Sequence, residues 1–111
     1  MRFDHYTEAD WRLFKKLRPV WQENFIHQIL EGYKELIDGP ECNGEKFWKL
    51  EEKIKEDKRK CGVTCIMARS KMAENMIRLI LEGVITEEDL EGFSAPMVEH
   101  VKRVVKIYQE E

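Results

Sequence analysis

Apolar positions between Gly44 and Gly83 recur with helical spacing. Phe47, Leu50, Ile54, Cys61, Cys65, Ala68, Met72, Met76 and Leu79 follow one another at steps of three and four, with one gap. That spacing lines them along one stripe of a helix with 3.6 residues per turn. The gap falls in Lys55-Glu56-Asp57-Lys58-Arg59-Lys60, where such a helix would be wet on all sides. No proline interrupts the span. Gly62, followed by the β-branched pair Val63-Thr64, is its weak point, although an interior glycine costs only about 1 kcal/mol relative to alanine. Gly83 stands where a left-handed cap would end the helix. The pattern therefore predicts one long central helix, straight or kinked at Gly62, over residues 45–82. At about 1.5 Å per residue it would reach about 57 Å, whereas a compact domain of this size has a radius of gyration of about 13 Å. Such an overhang calls for a kink, an elongated body or a second copy, so self-association is expected.

The flanking segments read as shorter helices. Thr7 with Asp10 makes a T-x-x-D capping box. It should start a short helix over Glu8 to Leu17, with Trp11, Phe14 and Leu17 inward. Pro19 stops or kinks that helix, because proline disfavours helical backbone at the residue before it. A second helix, Val20 to Ile37, carries the stripe Trp21, Phe25, Ile29, Tyr33 and Leu36, widened by Ile26, Leu30 and Ile37. Asp38 to Gly44 holds two glycines and a proline and is the clearest loop. So short a connection implies an antiparallel hairpin. Trp21 and Phe25 should then lie near Ile54 and Cys61, and Leu36 near Phe47 or Trp48. Further on, Thr86 and Asp89 repeat the capping box ahead of a short helix from Glu87 to Gly92. Ser94-Ala95-Pro96 marks another helix start. Met97, Val101, Val104 and Tyr108, widened by Val98 and Val105, should face inward and return against Met72, Met76 and Leu79. The expected fold is all-α: a single domain, residues 1–111, formed as a helical hairpin on a long central helix with short N-terminal and returning C-terminal helices.

Charge narrows the function classes. The chain has 19 basic and 22 acidic side chains, interleaved, for a net charge of −3. That balance disfavours a nonspecific nucleic-acid binder, which relies on neutralising phosphates. No segment approaches the roughly 20 apolar residues that cross a bilayer, so no membrane insertion is expected. The first residues carry acids where a signal peptide needs an apolar core. Three cysteines, an odd number, fit a reducing compartment. A cytoplasmic protein is the expectation.

Candidate chemistry is sparse. Cys61 and Cys65 would share a helix face, and with Cys42 and a histidine they could hold a metal. A C-x3-C on a helix fits the turn-borne spacing of zinc knuckles only nominally. Both cysteines fall on the apolar stripe, where free cysteine packs as a small hydrophobe. No metal, cofactor or catalytic residue is assigned. His5, His27 and His100 are scattered over three elements, with His27 on a polar face. Ser70 lies mid-helix, the wrong setting for a nucleophile, which needs a sharp exposed turn. Arg69 should pair with Glu74 or Asp57. Arg69, Asn75 and Arg78 could line one polar strip, and with Trp48 they form the candidate interaction surface. Met67, Met72, Met76 and Met97 read as adaptable core filler ahead of a Met-rich binding groove. Ile85 to Val105 has a helix-turn-helix flavour, with Leu90, Val101 and Val104 at compatible spacing. Glu91 and Ala95-Pro96 depart from that motif, and Lys102, Arg103 and Lys106 share the final helix region with Glu99, Glu110 and Glu111.

Phe47-Trp48, the Lys55-to-Lys58 run, Gly62-Val63, Arg69-Ser70, Met72, Asn75, and Ile85-Thr86 through Asp89-Leu90 to Phe93-Ser94 together carry a resemblance. From Thr7 onward the chain resembles a group of short uncharacterised bacterial all-helical proteins, some of which carry a multidrug-transporter label. The group brings no known active site, so no residue role is carried over. Ile85 to Ser94 also resembles short C-terminal oligomerisation motifs. The expected function is a non-enzymatic interaction or regulatory module that works through its helical surface as a homodimer with a protein partner. A DNA-associated regulator using the C-terminal helix pair ranks second, and a small thiol- or metal-dependent enzyme last.

Overall fold

Thr7 opens the first helix. Its side-chain oxygen accepts from the Asp10 amide at 3.0 Å, and the Asp10 carboxylate accepts from the Thr7 amide at 3.0 Å. This reciprocal box satisfies two amides that a helix start would otherwise leave unpaired. The helix it begins, α1 (Glu8–Ile37), runs 30 residues with Pro19 inside it. Two helices meeting at Pro19 were the expectation, and the structure joins them. Trp11, Phe14, Trp21 and Phe25 flank the proline and are all buried. Burying four such side chains, at roughly 1.5–3 kcal/mol each, outweighs the about 3 kcal/mol that an interior proline costs. The computed structural model, which describes residues 3–110, places four α-helices and no strand among them.

After a short turn, α2 (Asn43–Lys58) runs back along α1. The chain leaves α1 at Ile37, yet Cys61 and Gly62 already lie against Gln22 and Phe25. The predicted hairpin is therefore present. The predicted central helix over residues 45–82 is not. Helical structure stops at Lys58, and the chain turns through a non-helical corner up to Ala68. A 3₁₀ turn, Arg69–Lys71, then leads into α3 (Met72–Leu81). The long element of this fold is α1.

Side chains from neighbouring helices replace the hydrogen bonds that a continuous helix would have made at this corner. Glu82 accepts from the amides of Cys61 and Gly62 at 3.0 and 3.1 Å. Gln22 donates to the Cys61 carbonyl at 3.0 Å, Asn75 to that of Ile66 at 2.8 Å, and Arg78 to that of Arg59 at 2.9 Å. Buried backbone groups must find partners, and here they find them on α1, on α3 and on Glu82 just past the end of α3. Gly62 allows the approach. A Cβ at this position would lie 2.5 Å from Phe25 Cδ2 and 2.6 Å from Val84 Cγ2.

Gly83 closes α3 with φ of 78°. Its amide donates to Ile80 and that of Val84 to Leu79, at 3.0 and 2.9 Å, the two bonds of a Schellman cap. Thr86 and Asp89 form the second capping box, over the 3₁₀ turn Glu87–Leu90 in place of the expected short helix through Gly92. The last helix, α4 (Ala95–Gln109), has Pro96 in its first turn. Ser94 was expected to cap it, but its hydroxyl donates to Asp10 instead, at 2.6 Å, and its amide donates to Asp10 at 2.7 Å. One buried carboxylate thus ties the start of α1 to the start of α4. Met97, Val101 and Val105 pack with Met72, Met76, Leu79, Trp11 and Phe14 in one core. Tyr108, assigned to the inner face, is mostly exposed.

Burial stops part-way along α1. Beyond Phe25 none of its residues is buried, and α2 buries none at all. The distal half of α1 with α2 therefore forms an arm outside the body. The radius of gyration of 16.5 Å and extents of 52 × 31 × 22 Å reflect it, against about 13 Å for a compact chain of this length.

Gly62→Ala should overpack the corner and lower stability by about 1–3 kcal/mol, read as a lower urea midpoint with an unchanged slope. Asp10→Asn should cost about 2 kcal/mol near neutral pH. Burial opposes ionisation of Asp10, but hydrogen bonds from Ser94 and Thr7 hold its carboxyl below the usual 3.8. Its charge therefore stabilises the fold fully above that pH, and the contribution is lost as pH falls through the lowered value. The stability gap between native chain and variant should close in acid.

Candidate functional site

The arm carries apolar side chains that the described residues leave open to solvent. Phe47 and Trp48 are each 63% exposed, and their rings meet edge to face at 5.1 Å between centroids. Leu30, Ile37 and Ile54 are also exposed, and Ile29, Tyr33, Leu36 and Leu50 are half-buried. The periodicity that made Phe47, Leu50 and Ile54 read as a core stripe is real, but the stripe is not buried against any core among the described residues. Most helix stability in proteins comes from packing an amphipathic face rather than from local propensity.

Polar contacts hold the arm closed. The Tyr33 hydroxyl donates to Asp57, and Lys60 pairs with the same carboxylate at 3.1 Å. Partial burial opposes ionisation of Asp57, but the Tyr33 hydrogen bond and Lys60 hold its carboxyl below the ordinary value. Partial burial and the Asp57 carboxylate push the Tyr33 hydroxyl up to about 12. Near the tip, Lys49 reaches Glu41 at 3.6 Å. The surface of α2 has five acids and five bases in alternation.

The four residues proposed as an interaction surface do not share one. Trp48 sits on the arm. Arg69 lies in the 3₁₀ turn ahead of α3 and forks onto Glu8 of α1 with two bonds of 2.9 Å, its guanidinium over the Trp11 ring. Its partner is neither Glu74 nor Asp57. Asn75 is buried beneath the corner, and Arg78 braces that corner while pairing with Glu82 at 3.5 Å. The polar strip requires all three on one helix, and the break before Met72 removes Arg69 from it. Sequence reasoning missed Gln22 and Glu82, whose work at the corner depends on residues about 20 to 40 positions away and leaves no local signature.

Two further features complete the surface. An open groove of about 1180 Å³ lies along α3 and α4, lined by Ala73, Ile77, Val104 and Ile107 together with Lys71 and Arg103. Phe3 stacks on His100 at its edge, 4.2 Å between ring centroids. Burial, and then Arg103, push the His100 imidazole below its usual value. His27 is exposed, as expected. In the C-terminal segment, the first member of the expected helix-turn-helix pair is a single 3₁₀ turn of four residues. Among the described residues, no three His, Cys, Asp or Glu side chains converge as a metal site.

No known protein family matches this chain, and no curated protein or solved structure does either. No helix among the described residues is long and apolar enough to cross a membrane.

Tyr33 should ionise near pH 12 in an alkaline titration followed by phenolate absorbance. Asp57→Asn should bring that step back toward the ordinary 10.0. An unchanged titration would mean that the arm is not closed by this pair.

Proposed function

We propose that this protein is an interaction module that dimerises through its arm, two hairpins closing into a four-helix bundle. The observation that carries the reading is that α2 buries no side chain within one chain while presenting Phe47, Trp48 and Ile54. Exposed apolar patches of this kind mark interaction sites, and helical hairpins close into bundles by covering such faces. A second copy suits the face because acids and bases alternate evenly along α2. A two-fold interface must complement itself, and an evenly mixed surface can do so. The same balance supports a protein partner over nucleic acid.

Energetics set the strength. Leu30, Ile37, Phe47, Trp48 and Ile54 remain exposed in each copy. Covering them in both copies is worth on the order of 10 kcal/mol gross. Association costs about 4–15 kcal/mol, so the dimer is weak and depends on concentration. An amphipathic helix of another protein would fit the same face, which makes exchange between self and partner the regulatory event. The unpaired cysteines suit a reducing cytoplasm.

Light scattering over a concentration series should show the mass rising from one chain toward two. Phe47→Glu with Trp48→Glu should keep the protein monomeric while the body stays folded, as read by Trp11 and Trp21 fluorescence. A monomer at every concentration, or a dimer that survives both substitutions, would overturn the proposal.

A further inference from the structure

The corner between α2 and α3 brings two thiols together. Cys61 and Cys65 lie on non-helical backbone with their sulfurs 3.3 Å apart. A disulfide needs about 2.05 Å, so the sulfurs must close by little more than about 1 Å. Their surroundings differ. Cys61 is buried at 1% exposure, whereas Cys65 is partly open to solvent. The Cys61 sulfur also lies 3.5 Å from the Asn75 side-chain oxygen and 3.8 Å from the Asn75 carbonyl. Asn75 is itself fixed by its bond to the Ile66 carbonyl, so the buried sulfur has a defined position. Two cysteines acting only as hydrophobic filler would require neither direct contact nor this difference in exposure.

We infer that Cys65 and Cys61 form a thiol–disulfide exchange site that takes small disulfides, with Cys65 as the attacking and Cys61 as the resolving thiol. The electrostatics agree with the assignment. The Cys61 thiol donates its hydrogen bond to the Cys65 sulfur, which lowers the Cys65 thiol below the ordinary value against the opposing effects of burial and of Glu82, and Arg18 and Arg78 lower it further. The same hydrogen bond, with burial, pushes Cys61 up. The shared proton therefore stays on the buried sulfur. Arg18 is held by its 2.7 Å bond to the Gln22 side-chain oxygen, and its Nε is buried with no hydrogen-bond partner among the described residues. Thiolates are the nucleophiles in exchange, and neighbouring cations favour them.

The chemistry balances. The Cys65 thiolate attacks one sulfur of R–S–S–R, forms a mixed disulfide and releases one R–S⁻. Cys61 then gives up its proton and attacks the Cys65 sulfur, which closes the protein disulfide and releases the second R–S⁻. Two protein thiols are oxidised and the small disulfide is reduced to two thiols: the Cys61 proton goes to one leaving sulfur, and the other takes from solvent the proton that Cys65 released on ionising. Cys42 takes no part, because it stands at the tip of the arm, beyond the far end of α2 from this corner.

The test uses the full chain with Cys42→Ser, incubated with oxidised glutathione and examined by intact mass and peptide mapping. The expected product has lost two hydrogens and links Cys61 to Cys65, and dithiothreitol reverses it. Adding Cys61→Ser should trap glutathione on Cys65, whereas adding Cys65→Ser should trap little on Cys61. In the native chain, which needs no substitution in the corner, iodoacetamide at neutral pH should label Cys65 roughly tenfold faster than Cys42, with Cys61 slowest. Failure to form the Cys61–Cys65 link, equal trapping in the two variants, or Cys65 labelled no faster than Cys42 would each overturn the assignment.

Discussion

The close approach of Gly62 to Phe25 and Val84 is the constraint on which the other features rest. It lets the backbone after α2 lie directly on α1, where Gln22 and Glu82 take up its polar groups. The chain therefore turns at this point and α3 enters the body rather than extending the arm. Because the same corner holds both the root of the hairpin and the facing sulfurs of Cys61 and Cys65, the arm and the thiol pair share one structural support.

The molecule divides into a covered half and an uncovered one. In the body, aromatic side chains from the first half of α1 meet the methionines and valines of α3 and α4. In the arm, the Lys49–Glu41 pair and the Tyr33–Asp57 bond join α2 to the turn before it and to α1. Exposed pairs of this sort contribute little, so the arm belongs at the low-stability end of the structure. A segment that is loosely held alone and gains a core on association suits interaction. Energy left unrealised within one chain is available to a partner.

Several buried or half-buried polar groups serve two elements at once. Asp10 completes its own helix cap and receives both donors of Ser94. Asn75 holds the Ile66 carbonyl and lies against the Cys61 sulfur. Glu82 accepts from two corner amides and pairs with Arg78. Unpaired groups in such positions would carry a full desolvation penalty, so these side chains fix how the elements meet more sharply than apolar contact alone. A low contact density at the arm and polar stitching at the body's joints together explain why the shape is elongated yet the core is well defined.

By itself, the sequence determined the features that depend on neighbours a few residues away. Helical periodicity fixed the all-α class, T-x-x-D the starts at Thr7 and Thr86, Gly83 a left-handed cap, and the Gly-Pro-rich turn the hairpin. Only the tertiary structure decided whether Pro19 would break α1 and whether Lys58 would lead on into a helix. Four buried aromatics overrode the first local preference, and distant side chains at the corner overrode the second. It also scattered Trp48, Arg69, Asn75 and Arg78 and brought two cysteines into contact outside a helix. The reason is physical: an apolar stripe at a period of 3.6 records that a face is to be covered, but neither what covers it nor where the chain must turn to meet it.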